Sequence, residues 1–393
     1  MSRPAFDLAG ILRQHGNAYR QSHRVTHAQS RAMDAVVNCR TAALGGHVEE
    51  CGQCSRTRIS YNSCRNRHCP KCQSLARAKW VEARKCELLP VEYFHVVFTV
   101  PEAVAAIAFH NPETVYHMMF RATAQTLQTI ARDSKHLGAD LGFFAVLHTW
   151  GQNLLHHPHL HCVVPGGGLS PDGQRWISCL PGFFLPVRVL SRLFRRLLTE
   201  LLEAAFRKGE LRFSGTLSEL TRPASFHDCM TKLRSQEWVV YAKPPFGGPR
   251  QVLEYLGRYT HRTALSNERL LDIRDGRVTF QWKDYRSKDK QKSRVMTLES
   301  AEFIRRFLLH ILPRGFQRIR FFGLLSNRAR KIQLQRCRTL LQQPVLELLP
   351  APEQFQEHFT PLTAESLRRC PFCGNGSMVR TALVYAVPHP DSS

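Results

Sequence analysis

An α+β protein is what this sequence predicts: a small cysteine-rich head, then strands interleaved with helices. Three observations carry that reading. Short β-branched and aromatic runs alternate with amphipathic stretches of helical length. Six of the 13 cysteines fall within residues 39–72. Lys+Arg total 55 against 31 Asp+Glu, a net charge of +24. With 43% hydrophobic and 22% charged residues, the 393-residue chain is too apolar to be disordered and long enough for two or three domains.

Residues 1–38 read as helical and basic, with Leu8, Ile11, Leu12, Met33, Val36 and Val37 as the apolar positions. Residues 39–72 have glycines and metal-ligand residues but little periodicity. Residues 73–90 are helical again and stop at Pro90. A strand over 93–100 is bounded by Pro101, a helical stretch covers 102–137, and further strands cover 143–150 and 159–164. Gly166–168 reads as a turn. Residues 187–208 form an amphipathic helix with Arg188, Arg192, Arg195 and Arg196 on its polar side. A strand over 238–242 runs into a Pro/Gly loop and a helix near 250–260. A hairpin over 270–285 turns at Asp275-Gly276, and 299–311 is helical. The tail from about 340 is Pro-rich and holds one more cysteine pair, Cys370 and Cys373. The division is 1–90, a zinc-binding DNA-recognition domain with flanking helices; 91–335, a catalytic domain; and 336–393, a C-terminal tail with a half zinc motif.

The charge excess points to a polyanion. No apolar run of about 18 residues exists, and Arg interrupts the longest candidates, so a membrane partner is not expected. The first thirty residues lack a secretory apolar block, which implies a cytoplasmic protein with reduced cysteines. Of the 55 basic residues 43 are Arg, the side chain suited to bidentate phosphate contacts and to stacking on bases.

Cys51-x2-Cys54 and Cys69-x2-Cys72 are two knuckles, 14 residues apart, whose four thiolates fit one tetrahedral Zn²⁺. Cys39, His47, Cys64 and His68 lie beside them and offer a second ion, so one or two Zn²⁺ are expected. So polar a stretch cannot bury enough surface to fold alone, and coordination supplies the missing free energy. Arg65, Arg67 and Lys71 would then sit on a rigid frame suited to DNA contacts.

In His156-His157-Pro158-His159-Leu160-His161, a strand points His159 and His161 to one face. Two imidazoles make half of a divalent-metal site. Gln152 is the expected third ligand, with His148, His156 and His157 as rivals; an amide oxygen and two imidazoles leave open positions on Mg²⁺ or Mn²⁺ for a phosphate oxygen. An isolated pair of this kind is more often two ordinary polar positions. Tyr255 and Tyr259, at i and i+4, share a helix face with Arg258, His261 and Arg262 nearby. Such a pair usually packs in a core. Surrounded by cations, it also suits nucleophilic attack on a phosphodiester.

Several stretches together resemble the two-tyrosine HUH rolling-circle transposases of the insertion sequence 91 family. They are residues 39–47, the run Tyr61-Asn62-Ser63-Cys64-Arg65-Asn66-Arg67-His68-Cys69-Pro70-Lys71-Cys72, residues 157–162, and residues 255–262 with Ser266 and Asn267. The likeness runs from about 10 to 330, with a trace at 370–374. It implies an antiparallel HUH-nuclease sheet with helices, preceded by a small zinc-binding domain. It also implies that His159 and His161 hold the catalytic metal while Tyr255 and Tyr259 act as nucleophiles. One tyrosine would attack single-stranded DNA at a transposon end, leaving a 5′-phosphotyrosine and a free 3′-OH; the second would serve the transfer to target DNA. Arg65, Arg67, Lys71, Arg258 and Arg262 would contact DNA. No fused helicase is expected, so a host helicase or host replication would supply single strands on the bacterial nucleoid. Two other readings compete: a non-catalytic zinc-containing DNA-binding regulator, and a plasmid rolling-circle replication initiator or relaxase. For Cys370 and Cys373 the open choices are a half-site or help from Cys337 or His358. Cys86, Cys162, Cys179 and Cys229 read as buried thiols.

Overall fold

The computed structural model describes residues 5–85, 87–243, 257, 263–284, 293–342 and 369–387. The basic N-terminal stretch is two helices. Helix α1 (Leu8–Ser22) starts where the Asp7 carboxylate accepts from the Gly10 N–H at 2.6 Å. Helix α2 (His27–Asn38) starts with a capping box between Thr26 and Gln29. Strands β1 (Gly46–Cys51) and β2 (Thr57–Tyr61) form an antiparallel hairpin, and α3 (Pro70–Lys85) follows.

The central sheet has the order β12-β4-β5-β3-β8, antiparallel throughout. Its strands are β3 (Tyr93–Thr99), β4 (Gly142–Trp150), β5 (His156–Pro165), β8 (Val240–Lys243) and β12 (Ile319–Gly323). Strand alternation gives it two different faces. Phe94, Val96 and Phe98 of β3, Phe143, Ala145 and Leu147 of β4, and Leu160, Cys162 and Val164 of β5 point one way. Helices α4 (Glu102–His110), α5 (Pro112–Arg132), α6 (Val187–Arg207) and α7 (Pro223–Ser235) cover that face and make the largest core. The expected helix over 102–137 breaks at Asn111-Pro112, because proline cannot continue a helix but starts the next one well. The opposite face carries Tyr93, Phe144, Val146 and Val163, packed against Trp80 of α3, and beyond them a row of histidines.

Glycines 166–168 do not form a simple turn. Gly167–Leu169 is strand β6, paired with β7 (Trp176–Ser178). A side chain at Gly167 would stand 2.5 Å from the Ile177 carbonyl oxygen, and its φ of +157° is one that glycine alone adopts readily. A third sheet, β9 (Leu270–Arg274), β10 (Arg277–Lys283) and β11 (Ser293–Glu299), leads into α8 (Ser300–Leu308). The hairpin turns at Asp275-Gly276, both with positive φ. Helices α1 and α2 pack on this sheet and on α8, in one core with Cys39, Cys69, Cys72, Trp150 and Leu154. After α9 (Arg330–Leu340), strand β13 (Met378–Val384) returns to the first sheet and pairs with β1, giving the order β13-β1-β2. No described helix is long and apolar enough to cross a membrane.

Replacing Phe98, fully buried between β3 and the helices, with Ala should cost about 3–5 kcal/mol in urea unfolding. Val379→Ala on the exposed side of β13 should stay within about 0.5 kcal/mol. Equal losses would contradict the placement of the core.

Candidate active site and metal centres

The sheet face turned away from α4–α7 gathers four imidazoles, of which His95, His148 and His161 are buried. His148, His159 and His161 bring one ring nitrogen each within 4.8 Å of one another. Ring centroids lie 4.5 Å apart for His148–His161, 4.8 Å for His159–His161 and 5.5 Å for His148–His159. His159 and His161 share a face through alternation on β5, as expected. The third ring comes from His148 on β4, directly opposite His159. A bulge makes that possible. Trp150 pairs with His156 but His148 pairs with His159, so β5 carries an extra residue there, with Pro158 in the bulge.

His148, one of the rivals to Gln152, is thus the ring that closes the group with His159 and His161. Gln152 lies in the turn after β4, where its backbone carbonyl accepts from Arg269. His156 points to the other face, 2.8 Å from the Tyr116 hydroxyl, and burial lowers its pKa to about 4. His157 lies beside His159, its ring centroid 5.2 Å away.

His95, on β3, is the residue that sequence reasoning missed. Its Nε2 is 2.7 Å from Nδ1 of His161, with the rings stacked 5.0 Å apart. The Nδ1 of His159 is held 2.7 Å from the His157 carbonyl oxygen, to which it donates. In both ligand candidates Nδ1 is engaged, which orients the ring. Burial, with the charge of Lys243 opposite, lowers the His95 pKa to about 4, so it is neutral at physiological pH. Position 95 follows the same alternation that exposed the pair on β5, but the pairing of β3 with β5 is not written in either strand alone.

The cysteines form two separate groups. Cys39, Cys64, Cys69 and Cys72 lie within 4.8 Å of one another, as do Cys51, Cys54, Cys370 and Cys373. The two knuckles expected to share one ion are therefore split. The hairpin explains it. Cys51 and Cys54 lie at its turn, whereas Cys39 precedes β1 and Cys64 follows β2, so both of these lie at the other end. Six strand residues span about 20 Å, too far for one tetrahedron. In the first group Sγ–Sγ distances are 3.5 Å for Cys39–Cys72 and 3.6 Å for Cys64–Cys72, and hydrogen bonds from Cys39, Cys64 and Cys69 lower the pKa of Cys72.

The two histidines expected to join the cysteines do not. His47 Nε2 is 3.0 Å from Glu49, which also accepts from Arg58. His68 stands apart from the thiols, its pKa pushed well down by burial and by Arg67, Arg318 and His310. Two of the three cations read as DNA contacts in the head are engaged internally. Arg67 donates to the carbonyls of Leu312, Pro313 and Phe316, and Lys71 pairs with Asp7 at 2.7 Å. Arg65 is exposed.

Tyr255, Tyr259, Arg258 and Arg262 lie outside the described residues, as do His261 and His358. The chain on either side of them is described. It leaves at Lys243, paired with His95, and resumes at Thr263, next to Ala264 and Leu265 in the core that holds Trp150 and Leu154. Arg269 ties this return to the carbonyls of Ala264 and Gln152. At the end of β3 and the start of β5 an open groove of about 920 Å³ is lined by Phe109, His110, Leu155, His156, His157 and Val239, among others.

A family model described as "Transposase zinc-binding domain" matches residues 11–100, and one described as "Putative transposase" matches 142–332. The "Putative transposase y4qJ" of Sinorhizobium fredii is 59% identical over 99% of this chain and 98% of its own length. The "Transposase for insertion sequence element IS801" of Pseudomonas savastanoi pv. phaseolicola is 28% identical over 89% of this chain and 82% of its own. Among solved structures, the conjugative relaxase TrwC in complex with oriT DNA matches 42% of this chain and 71% of its own, at 15% identity and a TM-score of 0.23.

Two predictions follow from this geometry. His95→Gln should weaken Mn²⁺ binding about 10–100-fold in a calorimetric titration, with far-UV circular dichroism unchanged; unaltered affinity would remove the orienting role of His95. Acid should destabilise the fold through His156 and His310. Burial lowers these to about 4 and about 3, while the unfolded chain protonates near 6.5. The unfolded state thus takes up protons first, and stability falls as pH drops from about 6.5 towards 4, by up to about 3 kcal/mol per residue. Unfolding midpoints flat across that window would contradict neutral burial.

Proposed function

The chain belongs to the insertion sequence 91 family of transposases, and from that premise we propose that it cuts and rejoins single-stranded DNA at transposon ends through Tyr255 and Tyr259. The observation that carries this reading is the triad of imidazoles on the sheet face turned away from α4–α7. Three imidazole nitrogen donors fit a divalent cation that keeps open positions for phosphate oxygens. His148, His159 and His161 would hold Mg²⁺ or Mn²⁺, which when bound supplies Lewis-acid polarisation of the scissile phosphate.

This chain's own residues supply the rest. His95 and the His157 carbonyl keep the two β5 imidazoles in one tautomer and orientation. Lys243, described just before the tyrosine segment, pairs with His95, and Ala264, described just after it, is linked through Arg269 to Gln152 in the β4–β5 turn. One phenol oxygen attacks phosphorus and its proton goes, overall, to the leaving 3′ oxygen. The P–O3′ bond breaks as the P–O(Tyr) bond forms, giving a 5′-phosphotyrosine and a 3′-OH. Because the phosphodiester energy is kept in that link, rejoining needs no nucleotide cofactor. The groove at the mouth of β3 and β5 fits a single strand: Phe109 offers a face for base stacking, worth about 1–3 kcal/mol per base. The zinc-binding head, with Zn²⁺ at Cys39, Cys64, Cys69 and Cys72, would carry element-end recognition, with exposed Arg65 as its candidate DNA contact. Single strands would come from host replication or a host helicase, in the bacterial cytoplasm on the nucleoid.

The test is incubation of the purified protein with a single-stranded oligonucleotide bearing the element's terminus and Mg²⁺ or Mn²⁺. A covalent adduct resistant to denaturant is expected, with the modified tyrosine mapped by mass spectrometry. Tyr255→Phe/Tyr259→Phe should abolish it. His148→Ala should reduce it by at least about 100-fold, as His159→Ala should. An adduct that survives the double tyrosine change would overturn the nucleophile assignment, and an unaffected His148→Ala protein would overturn the third ligand.

A further inference from the structure

The second cysteine group has a feature that the zinc-binding family match, confined to residues 11–100, does not contain: half of its thiols come from the far end of the chain. We infer that Cys51, Cys54, Cys370 and Cys373 form a second, tetrathiolate Zn²⁺ site, a clasp fastening the C-terminal strand β13 to the N-terminal hairpin.

The donor geometry fits the ion. Cys51 and Cys373 Sγ are 3.8 Å apart, and Cys54 and Cys370 Sγ 3.7 Å. A tetrahedron with Zn–S bonds of about 2.3 Å has edges of about 3.8 Å. A disulfide needs about 2.05 Å. Both halves are built alike. In the first, the N–H groups of Gln53 and Cys54 point at Cys51 Sγ, at 3.4 and 3.5 Å. In the second, Phe372 N–H points at Cys370 Sγ at 3.4 Å and Gly376 N–H at Cys373 Sγ at 3.3 Å. Such donors stabilise thiolate over thiol, the form a metal takes. Gly376 is required by closeness: a Cβ there would stand 2.3 Å from Cys51 Sγ.

Packing gives the independent reason. The apolar cluster at this end of the sheet consists of Cys51, Cys370 and Met378, with Cys54 against it. Along β13, Val379 is 57% exposed and Leu383 74%, and Tyr385 just beyond it is 83% exposed. Apart from Met378 at its start and the Thr381 hydroxyl bonded to the Val48 carbonyl, backbone pairing with β1 holds this strand, and an edge strand with so little buried surface is marginal. A metal clasp supplies what the core lacks. It also closes a loop of more than 300 residues, from Cys54 to Cys370, that contains the whole central sheet. Long closures reduce the freedom of the unfolded chain most.

The test measures metal and thiol protection in the full chain. Metal analysis of the protein as purified from zinc-supplemented medium should give two Zn²⁺ per chain, and Cys370→Ser/Cys373→Ser should give one. In that variant, residues 378–384 should lose hydrogen-exchange protection at least about 10-fold while β4 and β5 keep theirs. A zinc content that does not fall by one ion per chain from the unaltered protein to the variant would overturn the site. Should the variant fail to fold, alkylation of the unaltered protein decides. With zinc bound, Cys51, Cys54, Cys370 and Cys373 should all resist iodoacetamide and become reactive together on chelation. Rapid modification of Cys373, exposed at the surface, while Cys39, Cys64, Cys69 and Cys72 stay protected would equally overturn it.

Discussion

The pairing of β4 with β5 is the constraint on which the candidate chemistry depends. Neither strand alone holds three ligands. Alternation on β5 supplies His159 and His161, and a one-residue irregularity at Pro158 brings His148 opposite His159. Without the bulge, His148 would face Pro158 and the triad would not close. The same alternation sends Leu160 and Cys162 to the helical face, so one strand serves the main core and the site together. The imidazoles are held by a sheet whose other face is fully packed, which suits a site that must keep its geometry through cleavage and rejoining.

The head and the site are mechanically joined. Cys39, Cys69 and Cys72 share an apolar core with Trp150 at the end of β4, Leu154 in the β4–β5 turn, and Ala264 and Leu265 where the chain returns after the tyrosine segment. His310 adds a polar link, with Thr149 at 3.2 Å on one ring nitrogen and the Leu154 carbonyl at 3.0 Å on the other. Metal loaded into the first cysteine group therefore stiffens the same cluster that anchors the site's turn. The head is thus packed as a buttress for the site.

Much of this was legible in the sequence, and the exceptions have physical causes. The strands at 93–100 and 143–150 and the helix at 187–208 were visible, because period-2 and period-3.6 patterns are local properties. The His-x-His pair was visible for the same reason. The third imidazole, His148, stood only among three rivals to Gln152, since a bulge changes register without changing composition. The partition of the cysteines was hidden too, since close spacing favoured Cys51, Cys54, Cys69 and Cys72 as one group. A hairpin between the knuckles separates them by its own length. The partners of Cys51 and Cys54 lie more than 300 positions away, and no local pattern connects them. The placement of Tyr255 and Tyr259 falls outside the described residues, so their helical spacing remains an expectation of the sequence.

The positive charge also changes meaning once the fold is known. A net +24 reads as a polyanion-binding surface, yet part of it is structural. Arg67 crosses from the head to the carbonyls of 312, 313 and 316. Arg318, almost fully buried with its pKa lowered to about 10, donates to Gln73 at 2.9 Å. Glu302 is held down to about 2 by hydrogen bonds from Arg305 and Arg306, which spends two more guanidinium groups on α8. Guanidinium suits these internal posts because it satisfies several acceptors and stays charged when desolvated. Salt dependence of DNA binding reports the phosphates neutralised, not the chain's net charge, so its slope should follow the exposed arginines and fall well below what +24 implies.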